Sequence, residues 1–229
     1  MKRLAVIGDG KMGRNVRHVA STVGFEVVAY LGEADVAGGG PTAAQLNGAD
    51  VAIEFTVPSA AATNVGACIV AGVPVVSGTT GWDADRTAVE MLVRERGGAF
   101  LWSPNFSIGA NIFGRIVERA AAEFAAVADQ FAAHMVETHH AAKLDAPSGT
   151  AKMLAARAEK GGMDVPITSV RVGQVPGTHE LTFDALFEQV RLTHEARDRR
   201  VFAAGALAAA AWLVGKRGVF TMDDFLGTR

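Results

Sequence analysis

The first thirteen residues constrain this chain more than any other stretch. An apolar run from Arg3 to Ile7 stops at Gly8, the turn reads Gly8-Asp9-Gly10-Lys11-Met12-Gly13, and a segment able to be helical runs from Met12 to Val23. Strand, G-x-G-x-x-G turn and helix in that order build a phosphate cradle. Gly8 permits the tight turn, Gly10 lets backbone approach a pyrophosphate, and Gly13 lets the helix pack closely on the strand. The amides at the helix start then face the anion. The turn predicts a dinucleotide site made by Gly8, Asp9, Gly10, Lys11, Met12 and Gly13.

Strand-like runs recur at Phe25 to Tyr30, Val51 to Phe55, Val73 to Ser77 and Ala99 to Trp102, the later ones separated by Ala-rich helical stretches. Apolar residues on both faces of such strands, alternating with helices, predict an α/β fold with a Rossmann-type parallel sheet, closed by the run at Ala99. Ligands settle at the carboxyl ends of strands in such sheets. This makes Gly78, Thr79 and Thr80, and Ser103, Pro104, Asn105 and Phe106, candidates for further cofactor contacts. Glu33, just after the second strand, is placed to accept from ribose hydroxyls, whereas the Lys11 ammonium can attract a 2′-phosphate. Both NADH and NADPH are permitted.

After Phe106 the pattern changes. A long helical stretch from Gly109 to Ala128 leads into strand-like Gln130 to Thr138, a polar loop, and a helix from Ser148. Runs at Ile167 to Val172, Glu180 to Ala185 and Glu188 to Thr193 follow with short connections, which predicts a second α+β domain with a mixed or antiparallel sheet. The expected division is a dinucleotide-binding domain over 1–106, with 201–229 packing back on it, and a second domain over 107–200. The weakly polar run from Phe202 to Gly215 reads as a buried helix, shorter than the roughly 20 residues of a membrane span.

Composition narrows the class. With 49% hydrophobic and 20% charged residues in 229, the chain is globular rather than disordered. A net charge of −2 gives no footprint for nucleic acid or anionic membrane. The single Cys68 makes no intrachain disulfide, and the first apolar run breaks at Asp9, too soon for a signal-peptide core. A cytoplasmic protein is expected.

The densest chemistry lies between Glu137 and Thr150, where His139, His140 and Lys143 fall within five residues. A metal site needs more ligands than a His pair whose members point to opposite sides, so no metal is expected. The segment Pro147-Ser148-Gly149-Thr150-Ala151 reads as a helix start with Ser148 as N-cap, and its amides and dipole attract a carboxylate. With Lys143 as a point charge and His140 as a donor, the loop suits a small dicarboxylate, bound through His140, Lys143, Ser148, Gly149 and Thr150. His139 is suited to exchange a proton. His18, His134, His179 and His194 receive no role.

At these residues the chain resembles the 4-hydroxy-tetrahydrodipicolinate reductase (dihydrodipicolinate reductase) family of lysine and diaminopimelate biosynthesis. The resemblance is carried by Gly8 to Arg14, Glu54 to Pro58, Gly78 to Trp82, Ser103 to Asn111 and above all Glu137 to Ala151, which is similar to the family's E-x-H-H-x-x-K-x-D-A-P-S-G-T-A element at every fixed position. It implies an NAD(P)H-dependent reduction with His139 as acid/base and Lys143 as proton donor or electrostatic anchor. It also implies a homotetramer assembled through the sheet of the second domain. The loop after Tyr30 lacks the Glu-Arg pair of some relatives, which leaves Gly32 or Glu33 to meet the ribose.

Overall fold

A computed structural model describes residues 1–227. Its backbone divides into two units, Met1–Ser107 together with the segment from Arg200 onwards, and Ile108–Arg199. The first unit is a six-stranded, wholly parallel sheet in the order β10-β5-β4-β3-β1-β2. Here β1 is Lys2–Ile7, β2 Phe25–Leu31, β3 Val51–Glu54, β4 Val75–Ser77, β5 Ala99–Trp102 and β10 Gly218–Phe220. Every residue of β3 and β4 is buried, which is why those strands read as continuous apolar runs rather than alternating ones.

Five strands were legible in the sequence, but the fifth does not close the sheet. The short β10 pairs parallel with β5 and takes the edge. Its three half-buried residues follow Lys216 and Arg217 and give too little apolar pattern to stand out.

Between the strands run α1 (Lys11–Ala20), the single turn α2 (Glu33–Val36), α3 (Pro58–Val70) and α4 (Asp83–Arg96). Pro58 opens α3, where its fixed φ suits the first turn and its missing N–H costs nothing. Asp83 and Asp85 lie in the first turn of α4 and Arg94 and Arg96 in its last, complementing the helix dipole, and Gly97 ends it at a left-handed φ of 62°. The C-terminal α7 (Arg200–Leu213) belongs to this unit. It packs on α1 and over β3, β4 and β5 through small residues, Ala203, Ala206, Ala209 and Ala210 among them. α8 (Met222–Gly227) follows β10.

The second unit carries α5 (Ile108–Ala125), β6 (Ala132–His139), α6 (Gly149–Lys160), β7 (Ile167–Arg171), β8 (Thr178–Asp184) and β9 (Gln189–Glu195). Its sheet is mixed, ordered β7-β6-β8-β9, with only the β6–β7 pair parallel. Helices α5 and α6 cover one face. Phe113, Val117, Leu154 and Ala158 meet Met135, Leu181 and Phe183 there. Glu118 of α5 clasps Arg157 and Lys160 of α6 at 2.8 and 3.0 Å. Among the described residues no helix is long and apolar enough to cross a membrane.

The tightest backbone approach in the first unit lies at Gly205, where an added Cβ would stand 1.7 Å from the carbonyl oxygen of Phe106. Gly205→Ala should therefore cost about 1–3 kcal/mol through overpacking, read as a lowered thermal midpoint. Gly66→Ala is the matched control, since its Cβ would meet nothing nearer than Leu92 at 3.6 Å. Equal midpoints for the two variants would contradict this packing.

Candidate active site

In the first unit the turn after β1 has the geometry a pyrophosphate needs. Gly8 adopts a φ of 105° and a Cβ on it would lie 2.0 Å from the Phe55 carbonyl oxygen; one on Gly13 would lie 1.8 Å from the Gly8 oxygen. Gly10 has nothing within 4 Å of its Cβ position, so space opens above the start of α1. As N-cap, Gly10 offers no side chain to the first-turn amides. A ligand anion can therefore take them. A cavity of about 180 Å³ adjoins this turn, lined by Gly8, Asp9, Gly10, Glu33 and Thr56 among others. The residues present fit a dinucleotide.

Glu33 is exposed at the start of α2 and lines a groove of about 640 Å³ together with Asp9, Tyr30 and Asp35. The Asp35 carboxylate accepts from the Gly32 amide at 2.8 Å. Lys11 and Met12 line a different cavity, of about 460 Å³, with Gly78, Thr79 and Thr80.

The strand-end loops are braced from within. Glu54, fully buried at the end of β3, accepts from the Thr56 amide at 2.9 Å, Thr79 Oγ1 at 2.7 Å, Ser77 Oγ at 2.5 Å, and Thr56 Oγ1. Trp82 and Trp102 both donate their indole N–H to the Thr79 carbonyl, at 2.8 and 2.9 Å. The Thr79 hydroxyl thus holds its own loop. Ser103 Oγ donates to the Asn105 carbonyl at 2.8 Å, and Phe106 is buried against Phe55 with ring centroids 6.0 Å apart. Gly78, Thr80, Pro104 and Asn105 retain exposure.

In the second unit, the alternation of β6 puts Met135, Glu137 and His139 on the face covered by α5 and α6. Register aligns Glu137 with His179 of β8 and His179 with His194 of β9, and pairs His139 with Arg171 of β7. The covered face is thus apolar at one end and titratable at the other. Glu137 is wholly buried. Its Oε1 accepts from Arg171 Nη2 at 2.7 Å and from the Ser148 amide at 3.4 Å, while Oε2 faces His139 Nδ1. Burial works against its charge, but hydrogen bonds from Arg171 and Ser169 prevail and hold its pKa down to about 2.

His139 is buried, and desolvation pushes its pKa below the usual imidazole range, partly opposed by Glu137. His179 is lowered to about 4 by burial and by the neighbouring His139 and His194. The three rings run in a row, His139 to His179 at 5.2 Å and His179 to His194 at 6.4 Å. Glu137, His139 and His179 bring candidate ligand atoms within 4.8 Å of one another. The Arg171 guanidinium already neutralises that carboxylate, so a dication would have to sit beside a fixed cation.

The loop after β6 places the remaining residues. Lys143 Nζ pairs with Asp145 at 2.6 Å, and this ammonium, with help from the Gly149 amide, holds the Asp145 carboxyl below its ordinary pKa. His140 Nε2 lies 3.3 Å from Arg199 Nη2. Ser148 caps α6 as expected, accepting from the Ala151 amide at 3.1 Å, and its hydroxyl also meets His179 Nε2 at 3.2 Å. Gly149 has open space at its Cβ position and Thr150 is half-buried. Sequence reasoning missed Glu137, Arg171, His179 and Arg199. For Glu137 a signal existed: it stands two residues before His139 on a strand, hence on the same face.

The sequence profile described as "Dihydrodipicolinate reductase, N-terminus" matches residues 2–106, and the one described as "Dihydrodipicolinate reductase, C-terminus" matches residues 109–226. The chain is 34% identical to a protein named 4-hydroxy-tetrahydrodipicolinate reductase from Christiangramia forsetii, covering 97% of each. It is 37% identical to a protein of the same name from Archaeoglobus fulgidus, covering 98% of this chain and 99% of that one. In fold it is similar to a dipicolinate-bound dihydrodipicolinate reductase from Paenisporosarcina sp. TG-14, with a TM-score of 0.80 at 24% identity over 98% of this chain and 99% of the other. The two profiles between them match nearly the whole chain, both relatives are covered almost end to end, and the chain belongs to the dihydrodipicolinate reductase family.

Proposed function

We propose that this chain catalyses the pyridine-nucleotide-dependent reduction of 4-hydroxy-tetrahydrodipicolinate. The substrate loses water to give dihydrodipicolinate, which takes up a hydride and a proton to give tetrahydrodipicolinate, a step of lysine and diaminopimelate biosynthesis. The observation that carries this reading is the buried His139 and Glu137 pair at the end of β6, followed by a loop that delivers Lys143 and the start of α6.

Each unit has its own task. In the first, the amides at the start of α1 hold the pyrophosphate, with Gly8, Gly10 and Gly13 making room for it. Glu54 and the two Trp side chains fix the Thr79 loop beside it. When bound, the reduced nicotinamide supplies the hydride.

In the second, Lys143 and the Gly149 and Thr150 amides hold a substrate carboxylate, and His140 with Arg199 adds a donor group at the same loop. Ser148 serves by setting the helix start, since its hydroxyl is engaged by Ala151 and His179. His139 gives a proton to the substrate as electron density arrives. Lys143 and the dipole of α6 stabilise that density.

The groove beside Glu33 favours NADH. Carboxylates of Asp9, Glu33 and Asp35 line it, suiting ribose hydroxyls that donate, and a 2′-phosphate would add charge to an already anionic rim. Arg17 stacks 4.9 Å over the ring of Tyr30, which lines that groove, and Lys11 lies on a different cavity. We also infer a cytoplasmic homotetramer. Its support is the face of the second sheet carrying His134, Glu180 and Arg191, on which neither helix of that unit packs.

With freshly condensed pyruvate and aspartate semialdehyde as substrate, NADH absorbance should fall on adding the enzyme. His139→Ala should lower kcat by about 100-fold or more with NADH affinity little changed. Lys143→Ala should lower kcat and raise KM together, because an anchor serves ground and transition states alike. Near-normal turnover in His139→Ala sinks the acid. Relative to NADPH, NADH should show at least about tenfold higher kcat/KM, and Glu33→Ala should narrow that ratio; a preference for NADPH refutes the groove assignment. Sedimentation should give one species of four chains, and a monomer at assay concentration rules out the assembly.

A further inference from the structure

A buried carboxylate is costly unless it is paired and hydrogen-bonded, and besides Ser169 Glu137 meets three partners that belong to this site. Arg171 takes Oε1 at 2.7 Å and so keeps the group anionic. The Ser148 amide reaches the same oxygen at 3.4 Å, immediately before α6 begins. Oε2 faces His139 Nδ1, and neither of those two atoms has another hydrogen-bond partner among the described residues.

A neutral imidazole carries one N–H and one lone pair. A carboxylate against Nδ1 requires the N–H there, which leaves the lone pair on Nε2. That atom faces Gly177, where an added Cβ would come within 3.0 Å of it. Backbone at Gly177 has a φ of 155°, and the missing side chain keeps the space next to Nε2 clear.

We propose that Glu137 is the positioning residue of this site: it confines His139 to the Nδ1–H tautomer, so that Nε2 is the atom that exchanges the proton, and it ties that ring to the start of α6. This rests on the reading of His139 as the acid. Nε2 takes a proton from solvent, the imidazolium shares its Nδ1–H with Glu137, and the Nε2 proton leaves to the substrate as the hydride arrives, returning the neutral tautomer. Arg171 acts one step further out. It also donates to the Asp145 carbonyl at 2.6 Å, so the guanidinium links the Glu137 carboxylate to the loop bearing Lys143.

The test is Glu137→Gln. Its carboxamide oxygen would turn to Arg171, which has no acceptor to offer. The NH2 would then face Nδ1 and drive the proton to Nε2. Turnover should fall about 100-fold or more, with the KM for the dicarboxylate changed far less. The groups facing the imidazole are Glu137 of β6, Lys143 of the loop, Arg171 of β7 and His179 of β8. Of these only Glu137 favours the protonated ring, so its removal lowers the His139 pKa and moves the alkaline limb of kcat to lower pH. Glu137→Asp should recover part of the rate.

Nitrogen-15 NMR of His139 in the wild-type enzyme should show a protonated Nδ1 and a bare Nε2, whatever the stability of the variants. An Nε2–H tautomer there, or Glu137→Gln turnover within about twofold of wild type with an unshifted pH profile, overturns the proposal. If His139→Ala is also active, the acid assignment itself has failed. If only Glu137→Gln is silent, the acid stands and the positioning role falls.

Discussion

A carboxylate taken out of water has to be matched by donors, and each unit builds its strand-end loops around one. In the first unit Glu54 is matched by hydroxyls and an amide from Thr56, Ser77 and Thr79, which joins the ends of β3 and β4 into one rigid rim. In the second, Glu137 is matched by a guanidinium and an imidazole as well as by Ser169 and the Ser148 amide, joining β6, β7 and α6. The difference in donors has a chemical consequence. Hydroxyls and amides fix geometry without adding charge, which on the proposed function suits a loop beside the nicotinamide. An imidazole and a guanidinium keep protons and cations close to the loop to which the proposed function assigns an anion. In both cases the carboxylate lies at the carboxyl end of a strand, so fixing it fixes the loop that follows.

How much of this was readable from the sequence follows from how local each feature is. The Gly8 to Gly13 turn and the Ser148 cap are set by residues a few positions apart, and the backbone adopts them as their glycines and hydroxyl require. The row of Glu137, His179 and His194 is set by strand register, which joins residues up to dozens of positions apart and leaves no mark in any short window. For the same reason Arg171 looked like one more strand residue. The loops after β4 and β5 do follow those strands, yet Thr79, Ser103 and Phe106 turn their side chains inward, because a loop at a sheet edge must first satisfy its own polar groups. β10 was missed for want of length: three residues between charged neighbours carry no period.

The two helix starts that the proposed function assigns to anions are built differently. At α1 the cap is Gly10, and the first-turn amides are left for a ligand. At α6 the protein's own groups already occupy the ground: Ser148 takes the Ala151 amide, and Asp145 takes both the Lys143 ammonium and the Gly149 amide. An incoming carboxylate must share or displace Asp145, so part of its binding energy goes into that exchange. The exchange weakens ground-state binding while keeping Lys143 and the Gly149 amide oriented beforehand, and orientation counts equally when charge develops on the substrate. On the proposed function, the uncapped start of α1 offers its amides to an anion directly, whereas the self-occupied start of α6 gives them up only in exchange for Asp145.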